Sequence, residues 1–103
     1  MKLILVTASL LLGLAAISNA NAASIYAGQA KAEAVCSQCH GIKNPSAEAP
    51  FPPLAGRDAD YLKTALKQYR DKTRQSDIMN AIAGSLSDDD ISNVATYYAR
   101  LKP

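Results

Sequence analysis

Cys36-Ser37-Gln38-Cys39-His40 is the stretch on which the reading of this 103-residue chain turns. Its spacing predicts a turn of helix in which residues three and four apart share a face, so Cys36, Cys39 and His40 project to one side. Two thiols and an imidazole on one face suit a single flat ligand. The thiols can add to the two vinyl groups of a haem while the imidazole takes its iron, a geometry that looser spacings would not offer. Other chemistries also use Cys-x-x-Cys: a redox dithiol, half of a zinc site, a structural disulfide. Zinc would want two more ligands, and with only these two cysteines and this one histidine, carboxylates would have to supply them. A thioredoxin-like dithiol normally sits beside a βαβ pattern, and no alternating β-branched run here is long enough to build one.

The chain opens on what reads as an export signal. Lys2 gives a positive n-region, and Leu3 to Ile17 form an apolar stretch broken only by Thr7, Ser9 and Gly13. Ala20 and Ala22 satisfy the Ala-x-Ala pattern, so cleavage is expected after Ala22, with Ala20 as the competing site. A membrane anchor is the alternative, but a spanning helix needs about twenty apolar residues and no stop-transfer charges follow. The expectation is a signal peptide over residues 1–22, a mature domain over 23–103 and a periplasmic location. So small a domain rarely buries enough apolar surface without a staple, which a covalently held macrocycle would provide. Without Lys2, ten basic side chains face nine acidic ones, and two haem propionates would carry the total to about one negative charge. Such a balance lacks the basic excess of a nucleic-acid binder.

Helical signals surround the motif. Ser24 is a cap for a first helix whose apolar positions Ile25, Ala30, Ala34 and Val35 lead into Cys36, and Gly41 stops it. Between Gly41 and Arg57, Pro45, Pro50, Pro52 and Pro53 preclude regular structure, and Phe51, Pro53 and Leu54 are expected to pack on the ring. Asp58 caps a second helix with Tyr61, Leu62, Ala65, Leu66 and Tyr69 on one face and Lys63, Lys67 and Arg70 on another. That basic stripe reads either as a solvated face or as steering for an acidic partner. Ser87 to Asp90 spell a capping box for a last helix with Ile91, Val94, Ala95, Tyr98 and Leu101 on one side. Asp88, Asp89 and Asp90 suit that helix's dipole without any metal. No strand signal appears, so the fold class is all-α, three to five helices around one covalent haem.

With His40 on one axial position, the other decides between electron transfer and ligand chemistry. Met79 is the one candidate thioether once Met1 leaves with the signal; the other reading is that it fills core, as most methionines do. Sulfur opposite imidazole would favour iron(II), raise the potential and close both positions.

Taken in order, these residues resemble the class I monohaem cytochromes c, of the short bacterial soluble type. The likeness runs from Gly28 through Cys36-Ser-Gln-Cys-His-Gly41, Pro53-Leu-Ala-Gly56, Met79 with Ala83, and Leu86-Ser-Asp-Asp-Asp-Ile91 to Tyr98. Resemblance implies a crossing of first and last helices at Gly28 and Tyr97, with Val94 and Tyr98 facing the haem. It also implies that the carbonyl of Pro53, or else Pro52, accepts the Nδ1 hydrogen of His40, and it supports Met79 as the sixth ligand. Arg57 is then a propionate partner or a plain surface arginine. Ile78 departs from the proline or methionine that many relatives carry there.

The implied function is a monomeric periplasmic carrier, not an enzyme. It would move single electrons between a membrane quinol-oxidising complex and a terminal oxidase or reductase, docking transiently at the exposed haem edge. A haem sensor or peroxidase with open iron, a thiol oxidoreductase and a subunit of a larger enzyme are the alternatives.

Overall fold

A computed structural model describes residues 23–44 and 51–102. The export-signal reading, Pro45 and Pro50 lie outside the described residues. Helix α1 runs Ile25–Lys31 and passes through a π-helical segment, Ala32–Cys36, into α2, Ser37–His40. The remaining helices are α3 (Ala59–Asp71), α4 (Asp77–Gly84) and α5 (Asp88–Arg100), with no strand among the described residues. The all-α expectation is met.

Every helix outside the α1–α2 rod starts on a side chain that accepts an orphan N–H, and so does α1. Ser24 Oγ accepts from Ala27 (3.1 Å), Asp58 Oδ2 from Tyr61 (3.0 Å) and Ser76 Oγ from Met79 (3.2 Å). At α5, Ser87 and Asp90 close a reciprocal box with two bonds of 3.0 Å. Helix α4 was not foreseen as a helix. Its eight residues are too few for a clear apolar period, although Ser76-Asp77 is a start signal of the usual kind.

The rod departs from a plain α-period. Gly28 and Ala32 face α5 and are buried, whereas Ala30 and Ala34, expected inside, are exposed. A π turn accommodates one extra residue over Ala32–Cys36, and Val35 and Cys36, three and four residues beyond the buried Ala32, are half-buried on its side. Ser37 Oγ donates to the Glu33 carbonyl at 3.0 Å and so satisfies a backbone group at the widened turn.

Helix α5 is the centre of the packing, with α1 on one side and α3 on another, while α4 lies against α3. At the α1–α5 crossing a Cβ on Gly28 would collide with the Asn93 carbonyl oxygen and lie 2.6 Å from its carbon and 2.9 Å from Tyr97 Cβ. Only glycine permits that approach. Asn93 Oδ1 also accepts the Ser24 amide at 2.8 Å, and Lys31 reaches Asp90 at 3.8 Å. Across α3 and α5, Arg70 pairs with Asp88 at 2.8 Å and donates to the Leu86 carbonyl at 3.3 Å. Arg70 therefore belongs to an internal helix contact rather than to a free basic stripe, and Lys63 is turned to Asp60 of its own helix.

The core itself is thin. Five of the eleven buried apolar residues described are alanine: Ala32, Ala55, Ala65, Ala83 and Ala95. Each offers one methyl to burial, against the roughly 1.5–3 kcal/mol of a full Leu, Ile or Val side chain. Larger contributions come from Leu62, Leu86, Ile91, Val94, Tyr97 and Tyr98, most of them on α5.

Candidate functional site

The turn that carries the motif is locked before any cofactor is considered. Gly41 ends α2 at φ 70°, with its N–H on the Ser37 carbonyl and its own carbonyl held by the Tyr98 hydroxyl at 3.0 Å. Tyr98 is 1% exposed, and burial pushes its hydroxyl well above the ordinary tyrosine range, so it stays protonated as the donor. The Tyr98 carbonyl in turn accepts the Gly56 amide at 2.8 Å, which ties the proline loop to α5.

His40 is buried, and its Nδ1 lies 2.8 Å from the carbonyl oxygen of Pro52. A carbonyl only accepts, so Nδ1 carries the hydrogen and Nε2 keeps its lone pair for a metal. The residue expected in that role was Pro53. Its carbonyl instead takes the Arg57 side chain (Nε, 3.3 Å), its ring is exposed, and it lies off the cavity wall. Successive carbonyls in an extended proline stretch point to different sides, and spacing alone did not say which one meets the imidazole. Phe51 completes the support, edge to face with His40 at 6.0 Å between ring centres.

A cavity of about 340 Å³ opens beside this turn. Val35, Cys36, Cys39 and His40 bound it on the motif side, and Ile78, Met79 and Ile82 on the α4 side. Leu62, Ala65 and Leu66 of α3, Val94 and Tyr98 of α5, and Phe51, Pro52 and Leu54 of the loop complete the apolar walls. Both thiols, the imidazole, the thioether, Leu54, Val94 and Tyr98 are therefore brought together at one cavity; Pro53 is not. Two arginines lie at the cavity, each over a tyrosine ring: Arg57 over Tyr61 at 5.3 Å and Arg74 over Tyr69 at 5.5 Å. Arg74, Ser76 and Ile82 were missed by sequence reasoning. Ile82 was legible in principle, since it sits three residues beyond Met79 and so shares its helix face.

Cys36 and Cys39 are free, half-buried thiols. Burial raises the Cys36 pKa to about 11, with Lys31 opposing the shift. That direction is opposite to the lowered pKa of an activated oxidoreductase thiol. Nor do the described residues gather three or more His, Cys, Asp or Glu for a zinc site.

A family model described as "Cytochrome C oxidase, cbb3-type, subunit III" matches residues 23–97. The chain belongs to the cytochrome c family. As a member it has covalently bound haem c, with its iron, as cofactor. Among the relatives, cytochrome c4 of Pseudomonas aeruginosa is 39% identical over 102 residues, covering 99% of this chain and 50% of its own length. Cytochrome c-554(548) of Halomonas halodenitrificans is 37% identical over 67 residues, 62% of this chain and 81% of its own. A thiosulfate dehydrogenase electron acceptor of Stutzerimonas stutzeri is 42% identical over 69 residues, 64% of this chain and 32% of its own. The chain thus spans half the length of the cytochrome c4 relative and about a third of the thiosulfate dehydrogenase electron acceptor. The donor set fits haem c: two thiols, an imidazole with Nε2 free, a thioether and apolar walls, all at one cavity.

Proposed function

We propose that this chain is a periplasmic carrier of single electrons whose haem c is held by thioether bonds to Cys36 and Cys39, with His40 Nε2 and Met79 Sδ as axial ligands. The observation that carries the reading is the convergence of those four side chains on one cavity, with Nδ1 of His40 already engaged by Pro52. Haem c supplies the one-electron centre when bound there. The protein's part is to hold the imidazole in one tautomer, aim it through Phe51 and Pro52, present a soft sulfur from α4 and keep water from the ring with Leu54, Leu62, Val94 and Tyr98. With Met79 bound, small ligands reach iron only by displacing it, which suits a carrier rather than a sensor or peroxidase.

Residues 1–22 act in this reading as a removed export signal, and no helix among the described residues is long and apolar enough to cross a membrane. The partners are redox proteins: a quinol-oxidising complex as donor and a terminal oxidase or reductase as acceptor. A dehydrogenase as donor has support of its own in the relative named as a thiosulfate dehydrogenase electron acceptor. The mature protein works as a monomer through brief encounters at the exposed haem edge, where local charge tunes association rate more than affinity.

Visible spectra of the oxidised and reduced protein, matured where haem is attached, test the assignment. Sharp reduced bands that stay with the polypeptide in acid-acetone, plus a weak far-red sulfur-to-iron band lost in Met79→Ala, are expected. Extractable haem overturns the thioether assignment. An unchanged Met79→Ala spectrum overturns the axial one, and rapid carbon monoxide binding to the reduced wild type would then favour the sensor reading.

A further inference from the structure

The side chain next to Met79 is tied to the chain in a way that the ligand assignment leaves unexplained. Asn80 Nδ2 donates to two carbonyls, Tyr69 at 2.8 Å and Arg74 at 2.9 Å, and its Oδ1 accepts the Ser76 amide at 3.1 Å. Its own amide bonds the Ser76 carbonyl at 2.7 Å, and the Met79 amide bonds Ser76 Oγ at 3.2 Å. One amide side chain therefore satisfies backbone groups at the end of α3, in the connection and at the cap of α4. Ser76 is the cap of α4, so the third helical position, where Glu or Gln would reach back to close a capping box, is occupied by Met79. Met79 lines the cavity and has no donor or acceptor suited to that task. The reach-back falls to the next residue.

The segment's other ties run back to α3 or stay within the connection: the Thr73 and Arg74 amides bond the Gln68 carbonyl, Arg74 Nε donates to Gln68 Oε1 at 3.1 Å, Gln75 donates to the Lys72 carbonyl at 2.9 Å, and none of these reaches α4. Lys72 sits at φ 66° and is exposed, as are Thr73 and Gln75, and α4 is only eight residues long with Ile78 55% exposed. A connection of this kind opens locally at low cost unless side chains pin it. We propose that Asn80 is the positioning residue for the Met79 thioether, fixing the Arg74–Ser76 connection so that the first turn of α4 presents sulfur to the cavity. The inference rests on Met79 being the axial ligand.

Its test uses the holoprotein and four variants. Asn80→Ala removes all three side-chain bonds; Asn80→Asp is isosteric, keeps the acceptor for Ser76 and loses both donations. Asn93→Ala removes the Ser24 bond at the α1–α5 crossing and serves as a control, and Met79→Ala marks full loss of sulfur. Both Asn80 variants are expected to lose the far-red band on heating well before helix dichroism is lost, and to bind carbon monoxide in the reduced state about tenfold faster, the order expected when two or three hydrogen bonds holding a ligand segment are gone. Asn93→Ala should lower the melting temperature with band and binding rate as in wild type. If the far-red band of Asn80→Ala or, where that variant does not accumulate, of Asn80→Asp survives until global unfolding at an unchanged binding rate, Asn80 is only a structural cap and the proposal falls. A wild type with no far-red band overturns the Met79 assignment and this inference with it, a result separable from the first because it appears before any Asn80 variant is made.

Discussion

Gly28→Ala tests the α1–α5 crossing at its tightest point. The added Cβ would meet the Asn93 carbonyl oxygen and carbon and stand 2.9 Å from Tyr97 Cβ. The first two are main-chain atoms inside a helix, so no rotamer change relieves the contact and the helices must separate. Overpacking of this kind costs about 1–3 kcal/mol, and a backbone clash belongs at the upper end. Alanine returns about 0.5–1 kcal/mol over glycine in a helix interior, leaving a net loss of about 2 kcal/mol. For a domain of this size that lowers the melting temperature by about 8–16 °C. Gly84→Ala is the matched comparison: nothing lies within 4 Å of a Cβ there, so it should melt at or slightly above wild type. Thermal dichroism of the three holoproteins is the assay. Gly28→Ala melting within about 2 °C of Gly84→Ala would refute the reasoning, because it would mean that the crossing is loose enough to accept a methyl group.

Tyr98→Phe deletes the bond to the Gly41 carbonyl and should cost about 1–2 kcal/mol, read as a drop of about 4–16 °C in melting temperature; an unchanged value would sink the idea that Tyr98 pins the exit of the haem turn. The Arg70 side chain lowers the Asp88 pKa, and the Ser87 amide lowers that of Asp90, both from 3.8. A folded pKa below the unfolded one means the stabilisation is full above pH about 4 and is lost as pH falls through the folded values. The melting-temperature gap between wild type and an Asp88→Asn, Asp90→Asn double variant should therefore be widest near neutrality and close in acid; parallel curves would argue against it. Finally, a Cys36→Ala, Cys39→Ala variant, which cannot attach haem, should show little helical dichroism, and native helix content would contradict a core completed by the cofactor.

What the sequence revealed was the chemistry that depends on short spacings. Cys36, Cys39 and His40 are three and one residues apart, and the caps at Ser24, Asp58 and Ser87 act within one turn, so local rules reach them. Ala30 was misread because the inward stripe of α1 runs through Ile25, Gly28 and Ala32, with a glycine standing where an apolar side chain was sought; Ala34 lies inside the π turn, where a period of 3.6 cannot register an inserted residue. Pro52 and Pro53 could not be separated because the choice depends on how a loop approaches an imidazole twelve residues away. Asn80 was invisible for the same reason: a lone asparagine in sequence reads as a turn residue, and its partners Tyr69 and Arg74 are eleven and six residues off.

The thin core and the crowded cavity belong to one argument. Leu54, Leu62, Ala65, Leu66, Val94 and Tyr98 line the cavity, so the inward faces of α3 and α5 meet there as well as each other. Ala32 and Ala95 are wholly buried in the helix core, and of the larger buried side chains Leu62, Val94 and Tyr98 are turned to the cavity. Folding energy therefore depends on what fills that space, since contacts on an unfilled wall are lost outright. The same arrangement explains the polar ties at its edge. Tyr98 to Gly41, Gly56 to Tyr98, His40 to Pro52 and Asn80 to Tyr69 each join a chain segment that bounds the cavity to a helix or loop on another side of it. A cavity walled by separate segments keeps its shape only if those segments are cross-linked, and here hydrogen bonds to backbone carbonyls supply the cross-links where apolar contact alone would leave the walls free to move.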